Sequence, residues 1–528
     1  MSKSQASEYN PPENNQSSGN DKTKSSFVRL LGFTIAIVLA VTAYILIPPE
    51  SLDKTGQIIA GLSHTGRVVV AIAVLIAILW VTEALPIAVT ALLPIILFPL
   101  LTAGQISVKS AAAPYAHELI FLFMGGFMIS LAMQKWGLHR RIALHTILII
   151  GTSPTLLVGG LMVACAFISM WVSNTATVVM MLPIAMSVVE LVRRELSEAN
   201  DPHLPADGQP FNFAVCLMLG IAYAASIGGI GTLIGTPPNA IMAAFLKENY
   251  QIEISFVKWM AFTVPLVIVF LPIAWLLLTK VVFPVRIRKI PGGRQLILKE
   301  LKSQGPLSRG ELMVLIVFII TALMWMTRPL LAKLQLPGGL RPMAGLSDPG
   351  IAIGSAILLF CLPVDFKSGL FVLTWKQARK LPWGVLILFG GGLSLAFAIK
   401  TSGVAEYIGR GVSGFQNLSL PVMILLVSAT SVSISQLTSN ISCTATLLPI
   451  FAAVAGGFGF DPLLLVIPTT IAASLAFMLP VSTPPNAIVF ASGEVTIPQM
   501  CKAGLWLNIL GIALVLLLMY LVIIPVMG

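Results

Sequence analysis

Thr236-Pro237-Pro238-Asn239-Ala240-Ile241 returns unchanged as Thr483-Pro484-Pro485-Asn486-Ala487-Ile488, and the surroundings of these two copies decide how the chain folds. Upstream of each copy the correspondence continues. Gly125-Gly126 recurs as Gly391-Gly392, Gly137 as Gly403, Ser173-Asn174 as Ser439-Asn440, and Leu182-Pro183-Ile184 as Leu448-Pro449-Ile450, every pair 266 residues apart. At the hexapeptide the offset drops to 247, because the polar loop 195–212 has a shorter counterpart around 456–462. A shared hexapeptide with several matches in register marks an internal duplication.

Both copies lie in apolar surroundings. The chain has 528 residues, 57% hydrophobic and 10% charged, with a mean hydropathy of +0.93. So few charges cannot cover the surface of a water-soluble protein of this length. Runs long enough to cross a bilayer recur, among them Val28–Ile47, Val68–Thr82, Met260–Leu278 and Leu505–Val526. The first run is long enough to span and has no small-residue cleavage pattern after it, so it reads as a span and not as a leader. The net charge of +11 sits in short loops without an aromatic-rich basic patch, which points to membrane orientation and away from nucleic acid. Cys165, Cys216, Cys361, Cys443 and Cys501 are scattered, form no CxxC pair and read as small core residues.

Four segments place polar backbone where hydrocarbon is expected: Ser173–Thr175, Gly231–Asn239, Ser439–Ser442 and Leu479–Asn486. Pro237-Pro238 and its copy remove backbone donors and stop a helix, and Gly235 permits the irregular backbone beside them. Proline and Ser/Thr can simply kink a packed helix, but four clusters related by a repeat point to broken helices lining a site. Non-helical backbone at membrane depth is tolerated only when buried in protein or lining a cavity. A broken helix offers N–H groups to an anion at one end and carbonyls to a cation at the other.

The segments holding these clusters carry no Lys, Arg or His to neutralise an anion and no carboxylate or His placed to carry a proton. Proton-coupled carriers mark their relays with such groups. Hydroxyl, amide and carbonyl oxygens instead suit a hard cation, so the pattern predicts Na⁺ and an anion bound together. Glu83 and Glu118 fall at span edges, and the five histidines lack metal-ligand spacing. Gly390-Gly391-Gly392 lacks the following Lys-Ser/Thr of a nucleotide loop and reads as close helix packing. An enzyme would show a nucleophile–base pair, a metal cluster or a cofactor motif; these are missing from the sequence pattern, and the reading is a carrier, with an anion channel as its rival.

Spans are expected near 28–47, 66–82, 85–101, 119–134, 213–246, 259–283, 311–328, 350–363, 383–399, 463–492 and 503–526, with hairpins at 155–192 and 418–455 that enter and leave on one side. With the N-terminus inside, most of the 32 basic residues fall on the cytoplasmic side, above all Arg286, Arg288, Lys289, Arg294, Lys299, Lys302 and Arg309 in loop 284–309. This places the C-terminus outside and gives the repeats opposite orientation, the arrangement of many secondary carriers. The fold class is therefore all-α integral membrane, about eleven transmembrane helices plus two re-entrant hairpins in an inverted repeat.

The paired Ser-Asn-Thr-type signatures, each followed by a break with Gly/Ser-Thr-Pro-Pro-Asn, resemble the divalent-anion:sodium symporter family of di- and tricarboxylate and sulfate carriers. The resemblance covers roughly 28–526 and looks closest to bacterial sodium-dependent dicarboxylate carriers, from Phe121–Gly126, Gly231–Pro238 and Pro382–Gly392. It implies a homodimer in the cell membrane whose transport domain moves like an elevator against a scaffold. The division it implies is a disordered cytoplasmic tail (1–26), scaffold (27–152), transport part (153–283), cytoplasmic linker (284–309), second scaffold part (310–410) and second transport part (411–528). It also implies one Na⁺ site from Ser169, Ser173, Asn174 and Gly235, and another from Ser435, Thr438, Asn440 and Ser482. It implies that substrate carboxylates meet Asn174, Thr175, Thr236, Asn440 and Thr483, with Pro237 and Pro484 shaping the pocket. The second signature departs from the family in carrying Ile441 where many relatives have Thr. The expected cargo is a small dicarboxylate of the succinate, malate, fumarate or 2-oxoglutarate class, coupled to Na⁺. Sodium-independent exchange of the same cargo, or a sulfate or citrate carrier, stands as the alternative.

The charge pattern makes a topological prediction. Single cysteines in loop 284–309 should label from the cytoplasm and those in turn 456–462 from outside, in oriented cells; labelling of both from one side rejects opposite orientation of the repeats.

Overall fold

The computed structural model describes residues 20–52, 58–151, 153–198, 211–287, 293–335, 340–412 and 418–527, which are almost wholly helical. α1 (Asn20–Leu46) begins within the stretch expected as a disordered tail. Residues 20–26 are thus helical, since a helix nucleated in the apolar run propagates cheaply into flanking residues; residues 1–19 lie outside the described part. A two-stranded ribbon, β1 (Ser51–Leu52) with β2 (Ile58–Ala60), leads to α2 (His64–Thr82). The expected span at 85–101 is split into α3 (Ile87–Thr90) and α4 (Leu93–Leu101), with Pro86 capping the first and Pro94 in the first turn of the second. α5 (Val108–Ala112), α6 (Glu118–Trp136) and α7 (Leu138–Ile150) follow.

The first hairpin is α8 (Pro154–Ser169) and α9 (Asn174–Glu198), and the first broken helix is α10 (Asn212–Gly229) and α11 (Pro237–Tyr250). α12 (Phe256–Leu276) continues with a wider turn through Val282. The expected linker 284–309 contains a helix of its own, α13 (Gly293–Ser303), before α14 (Arg309–Leu331) and α15 (Asp348–Cys361). A second ribbon, β3 (Pro363–Asp365) with β4 (Leu370–Phe371), precedes α16 (Trp375–Ala378), α17 (Trp383–Thr401) and α18 (Val404–Val412). The second hairpin is α19 (Leu420–Leu437) and α20 (Asn440–Gly457), the second broken helix α21 (Leu463–Ala473) and α22 (Pro484–Phe490), and α23 (Ile497–Leu518) ends the series.

Eleven helices among the described residues are long and apolar enough to cross a membrane. Their membership differs from the expected spans at three places. Asn174–Glu198, Leu420–Leu437 and Asn440–Gly457 are arms of the hairpins, while Ile87–Leu101, Asp348–Cys361 and Leu463–Ala473 are too short to qualify. Length and composition are local properties and do not distinguish a hairpin arm from a span. The outward faces are those of a membrane protein: α1 is mostly exposed, with Leu30, Val38 and Ile45 bare, whereas α10 is buried all round.

The sequence repeat is a repeat in space. In the first copy α10 packs on both hairpin arms, α8 and α9; in the second α21 packs on α19 and α20. The second half-helices change partners: α11 lies against α20 and α21, and α22 against α9 and α10. Each hairpin thus embraces its own first half-helix and receives the second half-helix of the other copy. The glycine pairs make equivalent crossings elsewhere. A methyl carbon on Gly125 would lie 2.5 Å from the Ala352 backbone, and one on Gly391 would lie 2.4 Å from the Ala91 carbonyl oxygen.

Ion pairs collect at two opposite ends. Arg140–Glu300 and Arg141–Glu311 (2.9 Å) join α7 to α13 and α14, and Arg193–Glu494 (2.6 Å) joins α9 to the turn after α22, at one end. Lys247–Glu118, Arg328–Asp348 (3.0 Å) and Arg328–Glu253 (3.5 Å) join α6, α11, α14 and α15 at the other. His139, beside the first group, is pushed down to about 4 by burial and holds the Met133 carbonyl at 3.0 Å, so it is a neutral structural residue near pH 7.

Gly125→Val and Gly391→Val should each force the crossed helices apart and destabilise the fold by roughly 1–3 kcal/mol. Melting of purified protein should show this as a drop of several degrees, whereas Gly354→Ala, where a methyl meets nothing within 4 Å, should leave it unchanged.

Candidate functional site

Hairpin tips and helix breaks converge because each break leaves carbonyls that no longer have an N–H four residues on. In the first break, Trp259 Nε1 donates to the Ile230 carbonyl (2.9 Å), Thr263 Oγ1 to that of Gly231 (3.2 Å), and Asn239 Nδ2 to those of Gly229 (3.1 Å), Ile230 (3.3 Å) and Thr232 (2.7 Å). Thr232 Oγ1 in turn donates to the Met170 carbonyl in the hairpin tip and accepts from Gly235 N (3.0 Å). The second break is held likewise, with Asn486 Nδ2 on the Ala476 (3.0 Å) and Leu479 (3.1 Å) carbonyls and on Ser482 Oγ (3.1 Å). Gln436 bridges it to the hairpin, its Nε2 to the Leu475 carbonyl (3.3 Å) and its Oε1 from Met478 N (2.9 Å).

The same oxygen pair stands at each tip. Ser169 Oγ donates to Asn174 Oδ1 at 2.6 Å, and Ser435 Oγ to Asn440 Oδ1 at 2.7 Å. Both serines are fully buried and both asparagines half-buried, each asparagine being the first residue of its hairpin's second arm. In the first copy a methyl on Gly229 would sit 2.6 Å from Asn174 Oδ1, and one on Gly235 would sit 2.5 Å from the Gly229 carbonyl oxygen. The tip amide and the break backbone are therefore in contact only because both positions lack a side chain. In the second copy Ser435 Oγ also lies 2.5 Å from the Ala473 carbonyl oxygen. These oxygens are neutral, and no cluster of three His, Cys, Asp or Glu suited to a metal exists among the described residues. The donor set, hydroxyl, amide and carbonyl oxygen, fits a hard monovalent cation and offers nothing to a thiophilic or redox metal.

The remaining residues singled out from sequence are placed as follows. Ser173 Oγ accepts from Ala176 N (3.3 Å) and so caps α9, and Ser439 Oγ accepts from Ile441 N (3.3 Å). Thr438 Oγ1 points away from the tip oxygens to the Trp80 carbonyl of α2 (3.3 Å). Ser482 Oγ donates to the Leu479 carbonyl (2.6 Å). Thr175 and Ile441 are equivalent and half-buried. Thr483 Oγ1 caps α22 through Asn486 N (3.4 Å), while the equivalent Thr236, also buried, makes no such cap. Sequence reasoning missed Gly229, Ala473, Gln436 and the clasping role of Asn239 and Asn486. The last two stood inside the repeated hexapeptide, which was the available signal.

Equivalent positions differ sharply in exposure. Trp171, next to the first tip, is 8% exposed and stacks among Phe256, Phe318 and Trp325, whereas its counterpart Leu437 is 67% exposed. Ile234 in the first break is 6% exposed and packs on Gly126 of α6; its counterpart Val481 is 74% exposed. In the first half Trp171 packs on α14 and Ile234 on α6, whereas Leu437 and Val481 in the second half are exposed.

Comparison with known proteins places this geometry. The family model described as "Sodium:sulfate symporter transmembrane region" matches residues 31–527. The chain is 39% identical over 505 residues to the sodium-dependent dicarboxylate transporter SdcS of Staphylococcus saprophyticus, covering 95% of this chain and 92% of the relative. It is 38% identical over 504 residues to SdcS of Staphylococcus aureus, with the same coverage. Among solved structures, MtrF of Neisseria gonorrhoeae, from a class of antimetabolite efflux pumps, superposes with a TM-score of 0.55 at 14% identity, covering 93% of this chain and 94% of that one. The YdaH transporter of Alcanivorax borkumensis gives 0.55 at 14%, covering 93% and 97%. At that identity the likeness is one of fold alone.

The unequal exposure has a direct readout. In purified protein, cysteines replacing Leu437 and Val481 should react with a soluble maleimide at least about tenfold faster than cysteines replacing Trp171 and Ile234. Equal rates at the paired positions would show that the two halves interchange freely.

Proposed function

From the premise that the chain belongs to the sodium:sulfate symporter family, we propose that it is a secondary active carrier of small dicarboxylates driven by sodium. The observation that carries this reading is the pair of equivalent neutral oxygen clusters, Ser169 with Asn174 and Ser435 with Asn440, one at each hairpin tip, with each hairpin's second arm packed on the second half-helix of the other copy. A dianion brought there meets no cationic side chain, and an uncompensated buried charge is prohibitively costly. Sodium at the two clusters compensates it, so anion and cation each tighten the binding of the other.

In this reading Ser169, Asn174 and the backbone at Gly235 hold one Na⁺, with Ser173 fixing the start of α9. Ser435, Asn440 and the backbone at Thr438 and Ser482 hold the other. One carboxylate meets Asn174, Thr175 and Thr236 beside Pro237; the second meets Asn440 and Thr483 beside Pro484, with Ile441 giving that half an apolar wall. An amide serves both partners, its oxygen toward a cation and its NH₂ toward a carboxylate.

The transport parts are residues 153–283 and 411–528, and the scaffold is 27–152 and 310–410, joined by 284–309. With the Arg- and Lys-rich end cytoplasmic, the N-terminus lies inside, the C-terminus outside, and the described state is open outward through the second hairpin. Moving the transport parts inward exchanges the docked half, burying Leu437 and Val481 and releasing Trp171 and Ile234. The protein works in the cell membrane as a homodimer whose scaffolds form the fixed contact.

Proteoliposomes should accumulate labelled succinate, malate or fumarate under an inward sodium gradient, and Asn174→Ala and Asn440→Ala should reduce uptake by about a hundredfold or more while leaving folded protein in the membrane. Ile441→Thr should tighten dicarboxylate binding several-fold through one added hydrogen bond. Rapid counterflow into dicarboxylate-loaded vesicles, unaffected by adding Na⁺, overturns coupling and leaves an exchanger.

A further inference from the structure

The repeated hexapeptide contains an asparagine that clasps the break but meets neither sodium nor substrate in the roles above. Asn239 and Asn486 are fully buried, each the third residue of its half-helix, behind a Pro-Pro pair that carries no N–H. Each side-chain NH₂ is spent on the preceding break: Asn239 on three backbone carbonyls, Asn486 on two carbonyls and Ser482 Oγ. Each side-chain oxygen, Asn239 Oδ1 and Asn486 Oδ1, has no hydrogen-bond partner among the described residues. A buried amide kept at both equivalent positions, satisfied on one side only, is not explained by space filling, which Leu would do without the desolvation penalty.

The carbonyls held this way are the wall of the site. Gly229, whose carbonyl Asn239 grips at 3.1 Å, is the residue against which both Asn174 Oδ1 and Gly235 rest. In the second copy Ser482, gripped by Asn486 at 3.1 Å, stands in the place of Gly235. We propose that Asn239 and Asn486 are positioning residues of the two sodium sites, each fixing the break's carbonyls in the array that the cation meets. The assignment rests on the sodium sites of the preceding reading. The two are not equivalent in strength. Ser482 Oγ is itself placed to donate to the Leu479 (2.6 Å) and Ala476 (3.3 Å) carbonyls, the pair that Asn486 holds, whereas Gly235 has no hydroxyl to offer the first break.

The test is sodium dependence of the full-length protein, read in two ways: initial rates of succinate uptake in proteoliposomes, and sodium-dependent thermal stabilisation of purified protein. Asn239→Ala should raise the half-saturating Na⁺ concentration about tenfold, the loss of one or two hydrogen bonds, with the rate at saturating Na⁺ within about threefold of wild type. Asn486→Ala should raise it less, about threefold, and adding Ser482→Gly should bring that shift to the size seen for Asn239→Ala. The thermal midpoints should move along the Na⁺ axis by the same factors. Should an alanine variant not fold, Asn239→Ser or Asn486→Ser, which keeps one donor, is read by the same criterion. A wild-type protein indifferent to sodium overturns the sodium sites and this assignment with them. A sodium-responsive wild type whose variants lose stability equally at every Na⁺ concentration, with no shift in half-saturation, overturns the assignment alone.

Discussion

Backbone carbonyls freed by a break in a buried helix must find donors inside the protein, and most of the architecture follows from where those donors come from. In the first break they come from two other helices, Trp259 and Thr263 of α12 and Asn239 of α11, and from the turn itself, where Gly235 N donates to the Thr232 carbonyl (3.4 Å). In the second break Asn486 of α22, Ser435 and Gln436 of the hairpin, and Ser482 supply them. Satisfying these groups draws hairpin, break and neighbouring helix into one unit. An unmet carbonyl in such surroundings costs about 1–3 kcal/mol, so a single lost donor is felt by the whole unit. The same oxygens, once held, stand beside the tip hydroxyls and amides, so the structural solution and the candidate site are one arrangement.

Much of this was legible in the residues. The constant offset of 266 between Ser173-Asn174 and Ser439-Asn440 located both hairpin tips, and both second arms do begin at the asparagine. The Pro-Pro pairs, read as helix stoppers, stand as the first two residues of α11 and α22, where a missing N–H costs nothing. What escaped was information carried by contacts between distant segments. The exchange of half-helices, α11 onto the second hairpin and α22 onto the first, has no signature within either segment. Nor does Gly229 announce its role: it reads as one glycine of several until Asn174 is brought against it. Thr438 was assigned through the family pattern by its backbone, and its hydroxyl proved to be engaged with Trp80 of α2, a partner 358 residues away.

The duplication is faithful where hydrogen bonds are needed and unequal where surfaces meet. Ser169 and Asn174 match Ser435 and Asn440, and Asn239 matches Asn486, because equivalent polar bonds demand equivalent groups. Trp171 against Leu437, Ile234 against Val481, Gly235 against Ser482 and Thr175 against Ile441 are the places where the copies have diverged. A symmetric protein would have equal energies with either half docked. Here the first half presents a tryptophan stacked with Phe256 and Trp325, 6.0 and 6.5 Å between centroids, whereas the second half presents an exposed leucine at the equivalent position.

That difference bears on how a carrier of this design would work. Withdrawing Trp171 from its stack exposes an aromatic surface, on the order of 150–250 Å², and docking Leu437 in exchange recovers less, at about 25 cal/mol per Å². In the proposed exchange the imbalance would be about a few kcal/mol in favour of the state with the first half docked, before any ligand binds. A ligand shifts such an equilibrium only by its difference in affinity between the two states, so tight binding alone does not move the protein. The exchange therefore needs charge compensation that is complete only when anion and cations are all present, since a partly loaded site would have to carry an uncompensated charge past the apolar surfaces of α6 and α14. Coupling in this view is less a property of the oxygen ligands than of the greasy surface they must cross: the neutral clusters make a loaded site cheap to bury, and Trp171 makes an idle movement expensive.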